Sequence, residues 1–215
     1  EEINFIVPSG NFGNVFSANV AKKMGLPIQK LHITTNQNDI LHSSINKGIM
    51  NKNIVTQTYS PSMDIQISSN FERQLFESAK RNSEKIKDMF QEFSDNGSYT
   101  IEKDILDDLQ SIYSTTAVND EKTLSTIKLI NDKFDYMADP HTATGLSVLL
   151  NNDKNETWVS LACAHPAKFG NAIEKAIGKP AVLPKELSKI FDKEEKMTIL
   201  QNNKENLKSL ILSTL

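Results

Sequence analysis

The strongest chemical signal in the chain is the turn Pro8-Ser9-Gly10-Asn11-Phe12-Gly13-Asn14. It follows Ile3 to Val7 (INFIV), an apolar run rich in branched residues that suits a buried strand. It precedes VFSANVAKKMG, whose spacing suits a helix with Lys22 and Lys23 in its last turn and Gly25 as its cap. A glycine-bracketed turn between a strand and a helix turns consecutive backbone N–H groups toward an anion, with the helix dipole behind them, and phosphate is the natural ligand. Gly10 and Gly13 permit positive φ and close approach, while Ser9, Asn11 and Asn14 add side-chain donors. An ordinary strand-to-helix turn capped by Asn accounts for the same residues, and the pattern is neither GxxxxGK[ST] nor GxGxxG.

Two further stretches hold reactive side chains. ACAHPAKF (Ala162 to Phe169) follows a strand expected at Thr157 to Leu161, which should lie centrally in the same sheet and end on the same face as the first turn. There Cys163 can act as a nucleophile, a weak hydrogen-bond partner or a small buried residue, and His165 as an acid, a base or a structural residue. DPHTATG (Asp139 to Gly145) gathers Asp139, His141 and Thr142, yet Asp-Pro at a helix start is also what capping alone selects. The four histidines, His32, His42, His141 and His165, never approach a metal-ligand spacing such as HExxH, so no metal site is expected.

The elements that must position these residues read as α/β. Leu31 to Thr35 is expected to form a second strand, ILHSSINK a helix ended by Gly48, and Ile54 to Thr58 a third strand. Such alternation with short links predicts a parallel sheet with helices on both faces. Residues 69–136 change character to charged, helix-length segments and read as a helical insertion or flank between a first part, 1–68, and a last part, 137–215, that completes the same domain.

Composition narrows the function classes. The 215 residues carry a formal net charge of −3, so no basic field draws in nucleic acid or anionic lipid. Cys163 is the single cysteine, which excludes an internal disulfide framework and fits a reducing, cytoplasmic location. No apolar run approaches the ~20 residues of a membrane span. A start of Glu1-Glu2 running directly into an apolar strand reads as the beginning of a fragment.

PSGNFGN, AKKMGLPI, TTNQNDIL, SPSMDIQISSNFER, DPHTATG and ACAHPAKF, in that order, together resemble the threonine synthase family, pyridoxal 5'-phosphate enzymes of fold type II. The resemblance covers essentially the whole chain and is weakest from about Asp95 to Asp135. It implies conversion of O-phospho-L-homoserine and water to L-threonine and phosphate. It also implies that Gly10, Asn11, Phe12, Gly13 and Asn14 hold the cofactor phosphate, and that Cys163 stands where a Thr hydroxyl usually faces the pyridine nitrogen. Arg73, in SSNFER, is the candidate for the substrate phosphate. The family's Schiff-base lysine, which follows a Ser-Phe pair and precedes Asp, has no counterpart here; Lys22, Lys23 and Lys168 do not replace it. The resemblance therefore implies a C-terminal half, inactive alone, whose partner is the missing N-terminal half. Another phospholyase of the same fold, or a non-catalytic anion-binding module, are the alternatives.

Overall fold

The structure, a computed structural model, describes residues 2–152 and 155–214. By internal contacts the chain divides into two units, Glu1–Ala181 and Val182–Leu215. The first contains a parallel four-stranded sheet in the order β5-β2-β1-β6, formed by β1 (Ile3–Pro8), β2 (Ile28–Thr35), β5 (Tyr113–Ala117) and β6 (Trp158–Ser160). The second holds two short 3₁₀ turns and one helix, Lys204–Thr214.

Alternation along β1 and β2 sends successive side chains to opposite faces. On one face Val7, Leu31 and Ile33 join a core with residues of α1 (Gly13–Lys23), α2 (Ile40–Lys47), α3 (Phe71–Ser78), α4 (Ser83–Asn96) and α5 (Lys103–Ile112). On the other, α7 (Pro140–Leu149) lies close: a Cβ at Gly145 would meet Ser160 Oγ at 2.5 Å, Pro8 Cγ at 3.1 Å and Ile6 Cγ2 at 3.3 Å. Thr34 and Thr144 share a buried hydrogen bond of 2.9 Å across the same interface. A smaller core formed by Ile127, Ala143 and Ile173 joins α6 (Asp120–Phe134) and α8 (Gly170–Ile177) to α7. Helices thus cover both faces, as the strand-helix alternation requires.

Two expectations are corrected. Ile54 to Thr58 is not a strand, because its backbone bonds go to side chains: Thr56 N–H donates to Asn38 Oδ1 at 2.8 Å and Thr58 N–H to Asp64 Oδ2 at 2.9 Å. A short strand lies earlier instead, β3 (Ile49–Asn51), paired antiparallel with β4 (Ser98–Thr100). Residues 69–136 are mostly helical but are no insertion outside the sheet, since Tyr113–Ala117 inside that block pairs parallel with β2 from Leu31↔Tyr113 to Thr35↔Ala117. YSTTA is polar because β5 forms the rim of the described sheet, so it carries none of the apolar run that marks a buried strand.

His32 holds that rim strand, its Nδ1 lying 2.7 Å from Ser114 Oγ and its Nε2 3.0 Å from Thr116 Oγ1. Burial, and then the charge of His42, lower its pKa from 6.5 to about 4. A depressed histidine binds its proton more readily in the unfolded chain, so stability is full above about pH 6.5 and falls as pH drops toward 4. The urea midpoint is expected to drop between pH 7 and pH 5, and H32N to show a smaller drop. An equal drop in both proteins would remove His32 as the cause.

Candidate functional site

The Gly10–Asn14 loop leaves the C-terminal end of β1 and becomes the first turn of α1. Its conformation rests on a residue that the sequence named only through the family resemblance and gave no backbone role. Phe12, not either bracketing glycine, takes the left-handed backbone, with φ 64° and ψ 1°. Its ring is wholly buried, edge-on to Phe71 at 5.0 Å and to Tyr113 at 5.5 Å. Tyr113 is itself held by a hydrogen bond from its hydroxyl to buried Gln74 Oε1 at 2.8 Å. Gly10 is needed for close approach instead: a Cβ there would lie 2.9 Å from Met63 Cα and 3.2 Å from the Ser62 carbonyl oxygen.

Most of the loop's polar side chains are committed to its own shape. Ser9 Oγ–H donates to Asn14 Oδ1 and accepts from Phe12 N–H. Asn14 Oδ1 also accepts from Val15 N–H, and Asn14 Nδ2 donates to the Pro8 carbonyl. Asn11 Oδ1 accepts from both Ser69 N–H and Ser69 Oγ–H, and Ser68 Oγ–H donates to the Gly10 carbonyl. Ser9 and Asn14 are therefore not the free donors their types suggested, whereas Asn11 keeps its Nδ2. Among the described residues no protein acceptor takes the N–H groups of Gly10, Asn11, Gly13 or Asn14. Four uncommitted amides at a helix start suit a phosphate.

Cys163 reaches this loop from the other side. Three residues past β6, which lies beside β1 at the rim of the described sheet rather than centrally in it, its N–H donates to Thr142 Oγ1 at 2.8 Å. Ala164 N–H donates to Asp139 Oδ2 at 3.2 Å. Asp139 caps α7 as its sequence position predicts, and its carboxylate also accepts from His141 N–H and from the Thr142 hydroxyl. Burial works against that charge, but the donors from His141, Thr142 and Ala164 prevail and hold Asp139 below the usual carboxylate range. The Cys163 thiol is pushed up to about 11, first by desolvation and then by the Asp139 charge, with Thr142 opposing, so it stays protonated at neutral pH.

A cavity of about 340 Å³ joins the two regions, its wall formed by the loop from Pro8 to Asn14, by Ser62, Met63 and Asn70, and by His141, Cys163, Ala164, Lys168 and Phe169. All five loop residues and Cys163 thus meet at one place. Arg73 does not. Its guanidinium lies over the Phe16 ring at 4.7 Å and donates to Asn70 Oδ1 at 2.8 Å, behind the cavity wall. His165 turns away to cap its own turn, with Nδ1 accepting from Ala167 N–H. Sequence reasoning gave no cavity role to Lys168, which it weighed only as a Schiff-base lysine, to Asn70 or to Ser62–Met63, all of which reach the wall only through folding. Among the described residues no three His, Cys, Asp or Glu side chains cluster to hold a metal, and no helix is long and apolar enough to cross a membrane.

Several known proteins are similar to this chain. A family model for the C-terminal part of threonine synthase matches residues 142–211. Threonine synthase of Pseudomonas aeruginosa is 37% identical over 203 residues, covering 93% of this chain and 43% of that protein. That of Saccharomyces cerevisiae is 38% identical, covering 94% and 44%. The chain therefore spans a little under half the length of these relatives. A crystal structure of threonine synthase from Brucella melitensis, with pyridoxal phosphate bound, superposes with a TM-score of 0.91 at 39% identity over 98% of this chain and 46% of that one. The yeast enzyme superposes with a TM-score of 0.89 at 36% identity, over 100% and 48%. Sequence and backbone alike follow those of threonine synthases along nearly the whole chain, and the chain belongs to the threonine synthase family.

Proposed function

We propose that this chain forms the cofactor-phosphate side of a pyridoxal 5'-phosphate-dependent threonine synthase, a lyase of threonine biosynthesis that acts on O-phospho-L-homoserine and water to give L-threonine and phosphate. The supporting observation is the single cavity that brings the uncommitted amides of the Gly10–Asn14 loop together with Cys163. When bound, pyridoxal phosphate supplies the electron sink for carbanion chemistry on an amino acid.

The residues of this chain bind and orient. The N–H groups of Gly10, Asn11, Gly13 and Asn14, with the α1 dipole behind them and Asn11 Nδ2 beside them, take the cofactor phosphate. Phe12 contributes through the core, holding the loop open rather than touching phosphate. Cys163, a thiol at neutral pH, faces the pyridine nitrogen as a neutral partner; a thiol is a weaker donor than the hydroxyl the family usually places there. The Schiff-base lysine and most substrate contacts come from an N-terminal half, which fits the chain's coverage of less than half of its relatives. The acting protein is cytoplasmic, a reading supported by the free Cys163 thiol, the single cysteine of this chain.

Titration of the ¹⁵N-labelled chain with pyridoxal phosphate tests this reading. The backbone resonances of Gly10, Asn11, Gly13 and Asn14 are expected to move most, followed by that of Cys163. Shifts confined to other parts of the chain would refute the assignment.

A further inference from the structure

His141 lies in the cavity wall and is almost wholly buried, yet both its ring nitrogens are committed. Nε2 lies 3.0 Å from the backbone nitrogen of Ser62, and a backbone N–H can only donate, so Nε2 is the unprotonated acceptor. The ring proton of the neutral imidazole is then on Nδ1, 2.9 Å from Asp139 Oδ1, to which it donates. The ring stacks at an angle against Phe169, with centroids 4.6 Å apart. A group with no free lone pair and no free proton is badly placed for acid-base work on a ligand.

What His141 does hold is the Pro61–Met63 turn, the same turn that abuts Gly10 so closely that a Cβ would meet Met63 Cα at 2.9 Å. Asp139 Oδ2, meanwhile, takes Ala164 N–H, next to Cys163. One buried carboxylate therefore governs both walls, one directly and the other through His141 and Ser62. We propose that His141 is a positioning residue: fixed as the Nδ1–H tautomer by Asp139, it pins the Pro61–Met63 turn under Gly10 and so preforms the phosphate-binding loop at a set distance from Cys163. This rests on the reading of Gly10–Asn14 as the cofactor-phosphate site. Preorganisation of this kind affects affinity because a loop already in its bound shape loses less freedom on binding.

Two variants separate the ring's two bonds. H141N places a side-chain amide near Nδ1 and keeps the donor to Asp139 while losing the acceptor for Ser62. H141Q places its carbonyl oxygen near Nε2 and restores that acceptor. Three measurements apply to the chain: the imidazole ¹⁵N spectrum of the unsubstituted protein, amide exchange at Ser62, and noncovalent affinity for pyridoxal phosphate. The expected results are an Nδ1–H tautomer, faster Ser62 exchange in H141N, and affinity lowered on the order of tenfold in H141N with most of it recovered in H141Q. An Nε2–H tautomer, or unchanged Ser62 exchange in H141N, overturns the clamp, and the tautomer measurement needs no variant to fold. If the unsubstituted chain binds the cofactor and H141N binds it equally well, the positioning role falls while the functional reading stands. If the unsubstituted chain does not bind it, the functional reading falls and takes the positioning role with it, whereas the tautomer and exchange results still report the contact.

Discussion

Incubated with pyridoxal 5'-phosphate and then with borohydride, this chain by itself is expected to show no stoichiometric cofactor adduct on any lysine, and with O-phospho-L-homoserine it is expected to release no detectable phosphate. Covalent capture requires an amine within bonding reach of the aldehyde. Lys22 Nζ is engaged by the Gln29 carbonyl at 2.8 Å and Lys23 Nζ by Glu77 at 3.1 Å, both along the far end of α1. Lys168 is the lysine that reaches the cavity wall among the described residues, with its ammonium 5.9 Å from the centre of the Phe169 ring. Mass analysis after reduction decides the matter, and Lys168 is the residue to inspect first. A specific adduct there would mean that the chain carries its own Schiff-base residue and that no second half is needed for capture.

The second large effect is expected at Phe12, where two opposing demands meet. The ring is wholly buried between Phe71 and Tyr113, so F12A should cost about 3–5 kcal/mol, the usual range for emptying a buried phenylalanine site. The backbone at φ 64° is a position where glycine is at ease and alanine is not, a difference of about 1 kcal/mol. Since F12A and F12G lose the same ring, F12G should be the less destabilised of the two, the reverse of their order in a helix or strand. Urea unfolding of both variants measures this directly. If F12G unfolds at the same or lower urea than F12A, the left-handed backbone is not what constrains this site. Phe12 thus links core packing to loop shape: the aromatic cluster stabilises a backbone turn that would otherwise cost energy, and that turn leaves the neighbouring amides without protein acceptors.

Local chemistry sufficed to read much of this protein. The β1 run, the glycine turn, α1 with its lysines near the end, and Asp139-Pro140 opening α7 all follow from preferences that act within a few residues, and all stand where the sequence places them. The ordered set of motifs likewise marked the family without any coordinates. The resemblance also paired Cys163 with the Gly10–Asn14 loop across some 150 residues of chain, and in the fold both line one cavity.

Other features were decided only by tertiary structure. YSTTA carries no buried-strand pattern because a rim strand is defined by its partner, β2, and not by its own apolar residues. The backbone of residues 54–58 was diverted from strand pairing by Asn38 and Asp64, which lie outside that segment. The left-handed residue of the loop proved to be Phe12 because core contacts outweigh a backbone preference that favours glycine. The commitment of His141 to Ser62 joins residues 79 positions apart. Hydrogen-bond capacity belongs to a residue type and is legible in sequence; which partner uses it depends on what folding brings within about 3 Å, and that is a property of the packed chain alone.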